Sequence, residues 1–146
     1  MKQKIPRLFW WLLLSFIFGV AQFFLEPIRE LFRGTFLFLL PLAVFSFLGF
    51  GLIIVIRRRK FKNRLKKFLL LSGVSAAAFF PGVVFHNLLY ALAIITEKIQ
   101  ILHFFAEALH VTFFLTSTIV CPLGFLTGAV GVTGYFFSHR IKKRII

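Results

Sequence analysis

Four stretches of this chain contain no Asp, Glu, Lys or Arg: Leu8–Leu25, Thr35–Ile56, Phe68–Ile95 and Leu109–Phe137. Each reaches the roughly 17–25 residues an apolar helix needs to cross a bilayer. All of the charged side chains fall in the short segments around them. A helix on the surface of a soluble domain would carry a polar face, and runs this long have no charge to build one from. The pattern predicts an all-α polytopic membrane protein, with four transmembrane helices over about 8–25, 35–56, 68–95 and 109–137. Short connections make an up-down bundle the simplest topology.

Composition narrows the choice further. Apolar residues make up 60% of the 146 positions, against roughly 45–50% in soluble domains. The segments between the runs are too short to bury a second core, so residues 1–146 read as a single membrane domain. Cys121 is the one cysteine, which excludes a disulfide framework and a cysteine-built zinc site.

The net charge of +14 suggests nucleic acid as a partner until its distribution is considered. Lys2, Lys4 and Arg7 precede the first run. Arg57, Arg58, Arg59, Lys60, Lys62, Arg64, Lys66 and Lys67 form a basic loop over 57–67, and Arg140, Lys142, Lys143 and Arg144 close the chain. The two intervening segments hold all four carboxylates, Glu26, Glu30, Glu97 and Glu107, with only Arg29, Arg33 and Lys98. Alternate connections therefore carry 15 and 3 cations. Short basic loops stay cytoplasmic, so both termini and the 57–67 loop are expected in the cytosol. A dual-topology protein would show near-equal counts. The same eight cations would draw anionic lipids of the cytosolic leaflet. No aromatic platform accompanies them, which disfavours RNA.

The first run has a second reading as a signal peptide, with Gly19-Val20-Ala21 near a cleavage point. Its apolar character continues through Leu25, however, beyond the ~7–15 residues of a typical h-region. Trp10 and Trp11 suit headgroup depth at the cytosolic end. Glu26-Pro27 is expected to end this helix, and Pro41 to kink the second. The third and fourth runs, at ~42 and ~44 Å, exceed a hydrocarbon core of ~30 Å. Pro81-Gly82 and Cys121-Pro122 offer kinks near their middles, and Leu102–Leu109 is expected as an interfacial or protruding pair of turns.

Steps of three and four residues from His103 trace one helix face: Glu107, His110, Phe114, Ser117, Cys121, Gly124, Gly128, Gly131 and Tyr135. Gly124-x-x-x-Gly128 is the spacing that lets helix backbones approach closely in lipid, and Gly131 extends it. A counterpart runs through Ser72, Ser75, Phe79, Gly82, His86, Tyr90, Ala93 and Glu97. In a hairpin centred near Lys98 these faces meet, with His86 and His110 at similar depth.

That geometry offers two cofactor readings beside plain packing. His103, Glu107 and His110, with His86 nearby, form a candidate metal site; Glu107-Ala108-Leu109-His110 has the Glu-x-x-His spacing of bundle-borne sites. His86 and His110 could serve as axial ligands of a haem, or flank a quinone or small lipid. The residues require no cofactor. Four carboxylates are too few for a dinuclear centre, and Cys121, ahead of Pro122 in an apolar helix, is no nucleophile. No phosphate-cradling loop or embedded charge points to catalysis or coupled transport. The sequence therefore favours a non-enzymatic protein acting through helix–helix association, as a subunit, scaffold or homo-oligomer. A His-based metal or haem protein and an oligomeric pore or carrier are the alternatives.

Overall fold

A computed structural model describes residues 5–32 and 36–142. Thr35, where the second run begins, and the cations Lys2, Lys4, Arg33, Lys143 and Arg144 lie outside them. The described residues are helical, with no strand among them. The elements are α1 (Arg7–Phe24), α2 (Glu26–Phe32), a 3₁₀ turn (Phe36–Leu39), α3 (Leu40–Arg58), α4 (Asn63–Ile95), α5 (Gln100–Leu115), a π-helical segment (Thr116–Val120) and α6 (Cys121–Lys142). Four helical stretches are long and apolar enough to cross a membrane: Arg7–Phe24, Leu40–Arg58, Asn63–Ile95 and Gln100–Ser138.

Several boundaries differ from expectation, each for a local reason. The break after α1 falls at Leu25, which is extended at φ −95° and ψ 112°. Pro27 then opens α2, in a first turn where its missing amide matters least. Pro41 likewise sits in the first turn of α3, so it starts that helix where a kink was expected. Arg64, Lys66 and Lys67 are good helix formers and extend α4 back to Asn63. Of the basic segment only 59–62 remains as connection. The fourth helix begins at Gln100, nine residues before Leu109, because nothing between Gln100 and Leu115 breaks a helix and exposed Glu107 is tolerated there.

Contacts between neighbouring helices pair rising with falling residue numbers. Gly51 faces Leu8 while Gly19 faces Leu42; Gly49 faces Ala76 and Ala77 while Ile53 faces Gly73; Gly124 faces Ser75, Gly128 faces Ser72 and Gly82 faces Ser117. Close approach between α3 and α4 requires a glycine. A methyl at Gly49 would stand 2.6 Å from the Ala77 amide nitrogen and 2.8 Å from the Gly73 carbonyl oxygen, separations that backbone atoms cannot relieve.

The core lies at the end of the bundle next to the basic connection. Phe9 and Leu12 of α1, Leu52 and Ile56 of α3, Leu65 and Leu69 of α4, and Phe125 and Val132 of α6 are fully buried together. Above them the rings of Phe16, Phe45, Phe79 and Phe125 form a continuous layer. Phe16–Phe125 centroids are 4.6 Å apart, Phe45–Phe125 5.1 Å and Phe45–Phe79 6.0 Å, within the range of favourable aromatic pairs.

Two prolines interrupt the long helices, and each is accommodated differently. Pro81 has no amide to give the Ala77 carbonyl. Ser46, buried on α3 with 3% exposure, reaches across to that point. Its hydroxyl donates to Ala76 O at 2.8 Å, with Ala77 O at 3.2 Å, and accepts the Phe80 amide at 3.0 Å. A hydroxyl from a neighbouring helix thus closes the break. Ahead of Pro122 the ladder widens instead. The Cys121 amide bonds Thr116 O, five residues back, which gives the ring room against the preceding turn.

Removing the hydroxyl leaves buried backbone groups short of a partner, at about 1–3 kcal/mol. Ser46→Ala should lower unfolding free energy in detergent by that amount. In a Pro81→Ala background, where the helix can close its own ladder, the loss should shrink by at least half. Equal losses in both backgrounds would show that Ser46 does not act through the proline break.

Candidate functional site

The faces traced from His103 and from Ser72 lie against each other, and the imidazoles meet where they were expected to be level. His86 and His110 ring centroids are 5.3 Å apart at 32°. The His86 Nδ1–H donates to the His110 carbonyl oxygen at 3.1 Å, a tautomer required because a carbonyl only accepts. Tyr90 packs on His110 at 5.5 Å and Phe114 on His86 at 5.1 Å. His110 Nδ1 is buried with no hydrogen-bond partner. One hairpin turn away, His103 Nδ1–H donates to Ala93 O at 2.9 Å, and its Nε2 lies 3.9 Å from Glu107.

This is the geometry of packed rings. Here the rings tilt over one another and Gly82 meets Ser117 just below them. His103, Glu107 and His110 do not come together: among the described residues no group of three His, Cys, Asp or Glu side chains could hold a metal.

The glycines face α4. A methyl at Gly128 would stand 2.8 Å from both the Phe68 carbonyl oxygen and the Ser72 amide nitrogen. At Gly124 and Gly131 the nearest atoms belong to the Ser75 and Phe68 side chains, which can move. The seam is therefore occupied within one chain and offers no free glycine face to a second. Hydroxyls of α5, the π segment and α6 bond to their own helices. Thr112, Thr116, Ser117, Thr118, Thr127 and Thr133 donate to carbonyls four residues back at 2.6–2.9 Å. Such bonds satisfy the hydroxyl protons locally.

Arg57, Arg58, Arg59, Lys60, Lys62, Arg64, Lys66 and Lys67 are all exposed. No carboxylate lies between Glu30 and Glu97 in the sequence to neutralise them locally.

A second feature was not found by sequence reasoning. A cavity of about 320 Å³ opens between α1, α3, α4 and the π segment, at the opposite end from the tight core. Phe16, Phe45 and Phe79 form its floor; Gly19, Val20, Leu42, Thr118 and Pro122 wall it; Phe23, Phe24 and Pro41 lie toward the helix ends. Among the described residues Ser15 and Thr118 supply its polar side chains, and Thr118 commits its proton to Phe114 O at 2.6 Å. Pro41 and Pro122, both in its lining, were the available signal. No protein-family model, curated protein or solved structure matches this chain.

Overpacking against fixed backbone costs about 1–3 kcal/mol. Gly128→Ala should destabilise the folded protein by that much in a detergent unfolding titration. Gly134→Ala, with nothing within 4 Å of the added methyl, should leave it unchanged. Equal behaviour of the two variants would contradict the close approach of α6 to α4.

Proposed function

We propose that this chain is a four-span integral membrane protein with both termini and the basic connection in the cytosol. In this reading it acts without catalysis, through helix–helix association with a second copy of itself. The antiparallel register of contacts supports an up-down bundle, and the 15-to-3 division of cations supports the orientation. The exposed cations at 57–67 would then rest on anionic headgroups, each contributing about 1 kcal/mol before screening.

One observation carries the association: an apolar hairpin left uncovered at the outer end. α1 and α3 have 18 and 19 residues, close to ~27 and ~29 Å, and match a core of ~30 Å. α4 has 33 residues, or ~50 Å. Counted from Phe68, the hydrocarbon ends near Asn87, so Leu88–Ile95 and the first turns of α5 stand beyond it. There α5 packs chiefly on α4, and Ile95 (79% exposed), Ile101 (74%) and Phe104 (68%) have no cover. Contiguous exposed apolar surface of this kind marks an interaction site. The tip carries Glu97, Lys98 and Glu107, all exposed, so a two-fold related copy can offer Lys98 a carboxylate across the axis.

Orientation is tested with an impermeant maleimide on a Cys121→Ser background. Lys98→Cys should react in intact cells and Asn63→Cys only after permeabilisation; the reverse, or equal reaction, refutes the topology. Association is tested by mass measurement in nanodiscs. The protein should be a dimer, and Ile101→Glu with Phe104→Glu should make it at least tenfold weaker without lowering its unfolding temperature. A monomeric parent protein would remove the association reading.

A further inference from the structure

We infer that the half-open cavity between α1, α3, α4 and the π segment holds one acyl chain of a membrane phospholipid, taken from the leaflet opposite the basic connection. The inference rests on the membrane reading above and adds a binding site to it. Chemistry selects the ligand class. Ten of the twelve lining side chains are apolar or glycine, none is ionisable, and the Thr118 hydroxyl is already bonded within its own helix. A cavity so lined stays dry. Among the described lining residues the Ser15 hydroxyl is the one polar group left uncommitted and no charged side chain is present to hold a headgroup, so the apolar slot favours a chain.

Depth selects the source. The lining residues of α1 run from Ser15 to Phe24, the last residue of the helix. Nine steps of 1.5 Å make ~14 Å, about half of a ~30 Å hydrocarbon core and so the depth of one leaflet. Pro41 and Leu42, in the first turn of α3, bound the same end. A phospholipid whose headgroup sits at the α1–α3 connection would place its chain along this slot, down to the Phe16, Phe45 and Phe79 rings. The volume of about 320 Å³ lies at the lower end of the ~300–1,000 Å³ range of ligand pockets. The frame is preformed: Pro41 and Pro122 have fixed φ, and the aromatic floor is held by its own ring contacts.

The site is tested by reconstituting the full chain in phosphatidylcholine vesicles doped with a phospholipid carrying a diazirine in mid-chain. After irradiation, adducts at the cavity-facing Ser15, Phe16, Gly19 and Thr118 should saturate near one lipid per chain. The outward residues Phe47 and Val130 should be labelled in proportion to probe, without saturation. A Cβ at Gly19 would meet only Leu42, at 3.9 Å, so Gly19→Leu should send its side chain into the cavity. Cavity labelling should then fall at least tenfold, with Phe47 and Val130 labelling and unfolding temperature maintained; Ser15→Leu provides a second filling variant. Cavity labelling that never saturates, or that persists in either folded variant, overturns the lipid site alone. Absence of labelling at Phe47 and Val130 as well overturns the membrane reading itself.

Discussion

A proline within a helix leaves a carbonyl without its amide and pushes its ring against the preceding turn, and this fold is organised around two such positions. Pro81 is answered from outside its helix, by a serine hydroxyl that bonds on both sides of the break. Pro122 is answered from within, by a widened turn that shifts the Cys121 amide to Thr116 O. These solutions differ in what they demand of the rest of the chain. The first requires α3 to lie close against α4 at Ser46, which in turn requires Gly49 one turn further on. The second requires nothing from a neighbour. Proline chemistry in α4 thus sets how α3 docks, while proline chemistry ahead of α6 leaves a bulge facing α1.

Glycine and hydroxyl residues share the work of bringing these helices together. Where solvent is hydrocarbon, apolar side chains gain little by leaving it, so close backbone contact and hydrogen bonding must supply association. Gly49 and Gly128 are set against backbone atoms, whereas Gly124 and Gly131 are set against side chains that can rotate. A Gly-x-x-x-Gly pattern therefore does not rank its own members. Gly49, which belongs to no such pair in the sequence, makes the tightest backbone approach.

The same distinction explains what was legible in the sequence. Charge-free length located the four long helices, because desolvating a charge is so costly that its absence over 18 or more residues is informative. Three- and four-residue steps found the opposed faces of α4 and α5–α6, including the matched level of His86 and His110. Boundaries were less legible. Absence of charge is not the condition for helix, so Arg64 and Glu107 continue helices that a charge count would stop. The role of Ser46 was hidden, since a lone serine in an apolar run carries no sign of the proline thirty-five positions away that it serves. Phenylalanine, with 23 copies, is too frequent for the sequence to single out the four that form the aromatic layer.

The cavity follows from these same constraints. Pro81 and the π segment sit at one level because Gly82 meets Ser117 there, so both departures from regular helix face the same region of the bundle. α3 is drawn to α4 by Ser46 and Gly49. α1 leans on α3 along Leu8–Gly51 and Gly19–Leu42, with Phe16 reaching the Phe125 ring of α6. Below that ring layer side chains of four helices are fully buried against one another. Above it α1 offers Gly19 in place of a bulky residue, and the Thr116–Val120 bulge replaces a regular wall. A larger side chain at Gly19, where the backbone permits one, would narrow this space. The void therefore depends on helix geometry and on the small residue at Gly19 together, and neither alone would open it.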